Sequence, residues 1–357
     1  MRLDPLTRRR LARFREIRRG WYSLLLLLGL LALSGVAEFL VNDRAVVVRH
    51  EDTWHFPTWG PVELGAVYGL EGTAARTPVD YRALARRFDA AGGDDFVLMP
   101  PVPWGPYGND DEDGILRARP PDPDRGHWLG TDTTGRDVLA RLVYGFRTAV
   151  LFALAFTALT YLIGVAVGCV MGWFGGWVDL LLQRVIEIWS NVPFLYMVII
   201  VFSVIPSTYS VGTRIAVLLL VMVLFSWTGL TYYMRTETYR EKARDYTAAA
   251  VVIGAGTGRI LFRHILPNTL ATLVTFAPFT VVSAITAITA LDFLGWGLPP
   301  PTPSIGELLR QGTANLTTAP WIVSSAFVTL VTMLTLVTFV GEAVREAFDP
   351  RRFTLYR

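Results

Sequence analysis

Three short stretches carry residue types and spacings that could do chemistry. Residues 254–259 read Gly-Ala-Gly-Thr-Gly-Arg, dense enough in glycine to raise the question of a phosphate cradle. A GxxxxGK[ST] loop needs a lysine to reach the phosphates, and a dinucleotide loop needs GxGxxG directly after a strand. This stretch has neither, and both flanks are helical in pattern. Asp245 to Ile253 is alanine-rich, while Ile260, Leu261, His264 and Ile265 form a second apolar face ending at Pro267. Helix, break, helix is a projection suited to docking onto a soluble partner. Asn109-Asp-Asp111-Glu-Asp113-Gly114 imitates the opening of a calcium loop, but its first position is Asn and its twelfth, where a bidentate Glu is needed, is Pro120. An acidic, solvated turn accounts for it. His50-Glu51 with His55 imitates a zinc-protease helix, yet five-residue spacing turns the rings apart where four would aim both at one metal. The single cysteine, Cys169, lies in an apolar run and excludes an intrachain disulfide or a multi-thiol metal site.

The elements that position these stretches are apolar. The chain is 357 residues, 52% hydrophobic, with a mean hydropathy of +0.40, above the range of soluble domains. Runs of roughly 20 apolar residues, enough to cross a hydrocarbon core of about 30 Å, fall near 22–40, 149–173, 181–205, 215–233, 270–291 and 321–341. Eight arginines in the first twenty residues place the N-terminus in the cytoplasm. Six spans return the C-terminus to the same side, with Arg345, Arg351, Arg352 and Arg357, and put 234–269 inside with Arg235, Arg240, Lys242, Arg244, Arg259 and Arg263. The short outer loops hold only Arg214 and Arg310. The first span also has the form of a secretory signal, with Gly35-Val36-Ala37 as a cleavage site, but the apolar run continues past Ala37 and an uncleaved anchor is favoured.

The expected organisation is thus an all-α polytopic membrane protein with six transmembrane helices. A basic N-terminus (1–21) and first helix (22–40) are followed by an extracytoplasmic insertion (41–148), then a core of five helices (149–341) containing the inner loop 234–269, and a cytoplasmic C-terminus (342–357). Residues 41–126 hold fifteen acidic and nine basic residues and ten of the 21 prolines, which predicts a small, irregular domain with one helix around Asp80 to Ala90. From 127 the chain reads HWLGTDTTGRDVLARLVYGFR. Thr134, three residues before Asp137, suits a helix cap. Val138, Leu139, Leu142, Val143 and Phe146 then share a face, with Arg136, Arg141 and Arg147 elsewhere, predicting an amphipathic helix along the outer membrane surface. A helix of a soluble domain fits the same pattern.

Gly164, Gly168 and Gly172, four residues apart, make a close-packing face, on this chain or on a partner. In the third span Arg184 and Glu187 can pair near the cytoplasmic end, and Pro193 predicts a kink. No charge falls deep in a span's centre, which weakens an ion-coupled mechanism.

At this point the motifs resemble a known family. Ala248-Ala249-Ala250, three residues, Gly254, nine residues, then His264-Ile265-Leu266-Pro267 resembles the EAA loop of membrane subunits of binding-protein-dependent ABC importers. His127-Trp-Leu-Gly-Thr-Asp-x-x-Gly135-Arg136-Asp137 and Leu291-Asp-Phe-Leu-Gly-Trp-Gly-Leu-Pro-Pro-Pro-Thr-Pro-Ser304 are similar to the C-type dipeptide and oligopeptide permeases. The resemblance implies a type I ABC importer permease fold and import of peptides, microcin-like peptide antibiotics included. It implies a second, homologous permease as heterodimer partner, a periplasmic peptide-binding protein, and a cytoplasmic ATPase that in one branch carries two nucleotide-binding halves on one chain. ATP and magnesium would sit on that ATPase and no cofactor on this chain; lipid surrounds it and no nucleic acid is a partner. Ala248, Ala249, Ala250 and Gly254 would dock the ATPase, with His264, Leu266 and Pro267 fixing the return into the membrane. One departure is Ala248, where the motif has glutamate, so any salt bridge of that carboxylate is lost.

Two other classes compete. A secondary transporter or channel without an ATPase partner should show inverted repeats and mid-membrane ionisable residues, and neither is evident. A membrane-anchored enzyme would need a nucleophile or paired carboxylates at catalytic spacing in the insertion, which offers none and would leave five spans unexplained.

Overall fold

The computed structural model describes residues 5–110, 114–206 and 208–348, so Asp111-Glu-Asp113 of the calcium-like stretch and the arginines beyond 348 lie outside the described residues. Helix α1 (Pro5–Glu16) meets α2 (Arg18–Gly35) at a bend of 94°, and α2 is followed by the short α3 (Ala37–Leu40). Phe14 and the residues around Gly20 pack on the end of the last helix, where a methyl placed on Gly20 would overlap Ala343. The first and last helices therefore meet at one end of the bundle. Arg19 adds exposed ion pairs to Glu342 and Glu346 there, of the kind that contribute little.

The insertion is not wholly irregular, nor is the chain wholly helical. Strands β1 (Val47–His50) and β2 (Thr53–His55) form a hairpin, and β3 (Phe96–Leu98) pairs antiparallel on the other edge of β1, in the order β2-β1-β3. Helix α4 (Tyr81–Ala91), capped by the Asp80 carboxylate, which accepts from the Arg82 and Ala83 amides, covers the sheet. Val48, Tyr68, Tyr81, Leu84 and Phe88 form their shared core. Both tyrosine hydroxyls donate to Glu63; burial foremost, and this carboxylate, hold both phenols above their ordinary value. His50 and His55 do not share a ligand: each faces its own carboxylate, Asp95 at 2.8 Å and Glu63 at 3.2 Å.

The outer surface helix is corrected. Residues 138–146 continue without a break into the second span as α5 (Val138–Phe174), a single helix of 37 residues, roughly 55 Å long. Its cap is Asp137, which accepts from the Ala140 amide at 2.7 Å, whereas the Thr134 hydroxyl donates to Asp132. Arg141, a surface residue on the amphipathic reading, is fully buried. Arg147 reaches across to Glu38 at 2.9 Å and the Ser34 carbonyl at 3.0 Å, tying α5 to the first span.

Helices α6 (Gly176–Ser190) and α7 (Phe194–Val204) are bent by 73° at residues 191–193, the place where Pro193 predicted a kink. Proline removes a donor and clashes with the preceding turn. Helix α8 (Val211–Lys242) runs well past the predicted 233, then come α9 (Asp245–Val252), α10 (Thr257–Ile260), α11 (Leu266–Leu294), α12 (Ile305–Ala314) and α13 (Pro320–Phe348). Among the described residues four helices, α5, α8, α11 and α13, are long and apolar enough to cross a membrane singly; each bent pair adds one, giving up to six. Phe152, Phe156, Met222, Ile285, Ile288 and Met333 belong to the core that these helices share.

Candidate functional site

The glycine face of α5 meets α8 of the same chain. A methyl on Gly164 would come 2.9 Å from the Leu230 side chain, on Gly168 2.7 Å from Met234 Cβ, and on Gly172 2.5 Å from Thr238 Cβ. Absence of side chains lets the two longest helices approach closely, and packing rather than any apolar driving force joins helices in lipid. The rod so formed ends at the loop 234–269.

That loop is fixed to the bundle by polar contacts. Asp179 at the start of α6 accepts two bonds from Arg235, at 2.5 and 2.6 Å, and a third from the Tyr239 hydroxyl at 2.9 Å. Bidentate geometry is the strong form of this pair. Lys242 Nζ donates to the Trp173 carbonyl at the end of α5 (2.5 Å), and the Thr247 hydroxyl to the Glu241 carbonyl (2.7 Å). Asp179 and Arg235 lie 56 positions apart, so nothing in the sequence joins them.

Around the break, Gly254 has φ +80°, a left-handed conformation that glycine adopts without steric cost. The chain doubles back so that Ala250, Ile260 and Ile265 bury together against Trp173. The second helix does not end at Pro267. From Ile260 it passes through one π turn, Leu261–Ile265, straight into α11, with Pro267 just after that turn. Leu266 packs beside Cys169, Met234 and Leu273. His264 lies alongside the Tyr246 ring, and its carbonyl accepts from Asn268 at 2.7 Å.

The outward face is apolar and uncovered. Val252, Ile253 and Phe262 are 86, 83 and 74% exposed, Val251 is exposed beside them, and Ala248 and Ala249 lie open on the preceding turns. Of the three alanines only Ala250 turns inward. One face is thus welded to α5 and α8, while the other offers a ridge of large aliphatic and aromatic side chains. A surface of this kind marks an interaction site.

At the opposite end, the 127–137 motif meets α12, the helix that directly follows the 291–304 motif. Arg141 donates to Glu307 and to the Pro106 carbonyl (3.0 Å), and Arg136 donates to Asp132 (2.8 Å) and Glu307 (2.9 Å). Gln311 accepts from Thr133 at 2.8 Å. His127 faces Asp137 at 2.8 Å under the Trp104 ring, and Asp292 accepts from Ser304 and the Leu298 amide. Burial would raise the Asp132 carboxyl, but the Arg136 charge and the bonds from Arg136 and Thr134 hold it below its ordinary value. Arg141 and Glu307 are 166 positions apart, so only a fold could reveal the lock.

The helices of the described residues, four long and apolar enough to cross a membrane singly and up to six with the bent pairs, define a multi-pass membrane protein. Residues 164–354 match the family described as binding-protein-dependent transport system inner membrane component, and the chain belongs to that family. It is a multi-pass inner-membrane protein, the permease subunit of an ABC importer. Among its relatives are the peptidoglycan transport system permease protein YejE of Agrobacterium fabrum, 41% identical over 98% of this chain and 94% of the relative, and the inner membrane ABC transporter permease protein YejE of Escherichia coli, 40% identical over 98% and 99%. The oligopeptide transport system permease protein OppC of Haemophilus influenzae is 30% identical over 71% of this chain and 80% of its own length.

Proposed function

We propose that this chain forms half of a peptide-importing channel and that its inner loop is the seat of the ATPase that drives it. In this reading the chain crosses the membrane six times, with both termini in the cytoplasm and the sheet-bearing insertion outside, where the binding protein delivers cargo. The meeting of α1 with the end of α13 supports an even number of crossings. Peptide is the cargo chemistry shared by relatives whose printed names refer to oligopeptides and to peptidoglycan. A second, homologous permease completes the channel. In this reading ATP and magnesium belong to the ATPase, one chain with two nucleotide-binding halves.

The observation that carries this reading is the uncovered ridge Val251, Val252, Ile253 and Phe262 on a loop whose other face is buried. A rigid element held by both α5 and α8 can transmit closure of the ATPase to the spans, because a packed core moves as a unit. Ala248 leaves the docking to shape and apolar contact, without the carboxylate. The test is co-purification. Val252→Asp with Ile253→Asp puts two charges on the ridge and touches nothing buried, and is expected to strip the ATPase from the complex and abolish peptide uptake. An ATPase retained at the wild-type level, or retained after deletion of 248–254, would overturn the assignment.

A further inference from the structure

Between α5, α7, α8 and α11 lies a cavity of about 390 Å³. Four hydroxyl side chains line it, Thr160, Ser226, Thr280 and Ser283, set among phenylalanines that include Phe194 and Phe279. Among the described residues no charged side chain lines it.

Its depth follows from α6. Asp179 is level with Arg235 near the inner end of the fourth span, and ten residues further along α6 the Trp189 indole donates to the Leu224 carbonyl at 2.8 Å. The break at 191–193 therefore falls at mid-membrane, and Phe194, the first residue of α7 after it, is part of the cavity wall. Non-helical backbone is tolerated at that depth only inside protein or against water. Asn191 and Pro193 are exposed on this chain, so the break faces either the partner permease or the water of the channel that the two enclose. Thr160 supplies an independent observation. It is 3% exposed, and its hydroxyl has no hydrogen-bond partner among the described residues, whereas Thr157 one turn earlier donates to the Ala153 carbonyl at 2.8 Å. A buried hydroxyl without a partner calls for one.

We propose that this cavity is a transit site for peptide in this subunit, and that it holds the peptide by its backbone. The inference rests on the peptide-import reading above and adds the residues and the mode of recognition. Every peptide unit carries one donor and one acceptor whatever its side chain, and a hydroxyl can answer either. Charged walls would attract one class of peptide side chain and repel another; an uncharged wall treats them alike. Single hydroxyl contacts are also weak enough to release cargo, which conduction through a pore requires.

The assembled transporter in proteoliposomes tests this, with Cys169→Ser removing the native thiol. Ser226→Cys and Ser283→Cys are expected to react with a charged, membrane-impermeant thiosulfonate at least about tenfold faster than Leu162→Cys, which lies exposed on the outside of α5. Saturating trialanine should slow that reaction. Labelling no faster than at Leu162→Cys, or labelling that trialanine does not slow while the wild type imports it, would overturn the site. Thr160→Val keeps the shape and removes the hydroxyl. It is expected to raise the KM for trialanine, trilysine and triglutamate uptake by one common factor, about three- to tenfold for a single hydrogen bond, with Thr160→Ser restoring the wild-type value. A factor that differs among the three peptides would overturn backbone recognition. Failure of the wild-type assembly to import any of the three would instead overturn the import reading itself, while the labelling rates still report whether the cavity is aqueous.

Discussion

Truncation of Glu307 to alanine removes the acceptor of the lock's fully buried arginine, Arg141. Arg141 is fully buried, with Glu307 and the Pro106 carbonyl as its hydrogen-bond acceptors and an Asp132 oxygen 3.6 Å from its Nε. Arg136 donates to the same two carboxylates, so two cations are balanced by two anions. Glu307→Ala leaves both guanidiniums facing Asp132 alone. Removing one partner of a buried pair costs about 3–5 kcal/mol, because the other charge stays buried and uncompensated. The Glu307 side chain is 19% exposed, and Asp132 still attracts Arg141, which puts the expected loss near the lower end, about 3 kcal/mol. Arg141→Met combined with Glu307→Leu removes the charge together with its need for a partner, and is expected to recover most of that loss, since apolar replacement of a whole buried pair is often neutral. The chain reports its own unfolding: Cys169 is its single cysteine, buried between α5, α8 and α11. A thiol-reactive fluorophore therefore follows opening of the bundle in detergent as denaturant rises. A loss below about 0.5 kcal/mol for Glu307→Ala, the range of an ordinary surface change, would refute the lock. So would a double variant less stable than the single one.

The same fluorophore checks three further outcomes. Asp132 is depressed in the folded chain, and a carboxyl of that kind contributes stability above its unfolded value, about 3.9, and loses it as pH falls through the lower folded value; the lock should hold from neutral pH to about 4 and loosen below, with Asp132→Asn removing the acid step. Alanine at Gly172, Gly168 or Gly164 is expected to destabilise the α5–α8 contact by about 1–3 kcal/mol, most at 172 and least at 164, following the approach distances of 2.5, 2.7 and 2.9 Å; equal effects at all three would contradict the close contact. Gly254→Ala meets no atom within 4 Å, so its cost is the left-handed backbone alone, about 1–2 kcal/mol, and the ATPase should still co-purify, in contrast to charges placed at 252 and 253.

Much of this architecture is legible in the sequence because lipid imposes one requirement on long segments. Apolar runs near twenty residues locate α5, α8, α11 and α13, Pro193 marks the break, and alanines before glycines mark α9 and the turn at Gly254. The misreadings share a cause. Arg141 reads as a surface residue because the charge that buries it, Glu307, lies far along the chain, and Asp179 with Arg235 is hidden in the same way. The strands of the insertion are three or four residues long, too short for alternation to show. Helix α10 passes into α11 through a π turn just before Pro267, a local widening that lets the helix run on past a proline that the sequence alone reads as its end. Of the inner loop, the sequence shows the break and the small residues; that Val252, Ile253 and Phe262 stand outward while Ala250 turns inward depends on the packing of Trp173 beneath them.

On the proposed function, peptide moves because the loop 234–269 couples the spans to ATP hydrolysis. Proteoliposomes holding the chain with its partner permease and ATPase, supplied with binding protein on one side and ATP with magnesium on the other, should accumulate a radiolabelled tripeptide. Accumulation should stop when ATP is replaced by a non-hydrolysable analogue or when Val252→Asp with Ile253→Asp is introduced. Uptake that persists without the ATPase, driven by an imposed proton or sodium gradient, would contradict it.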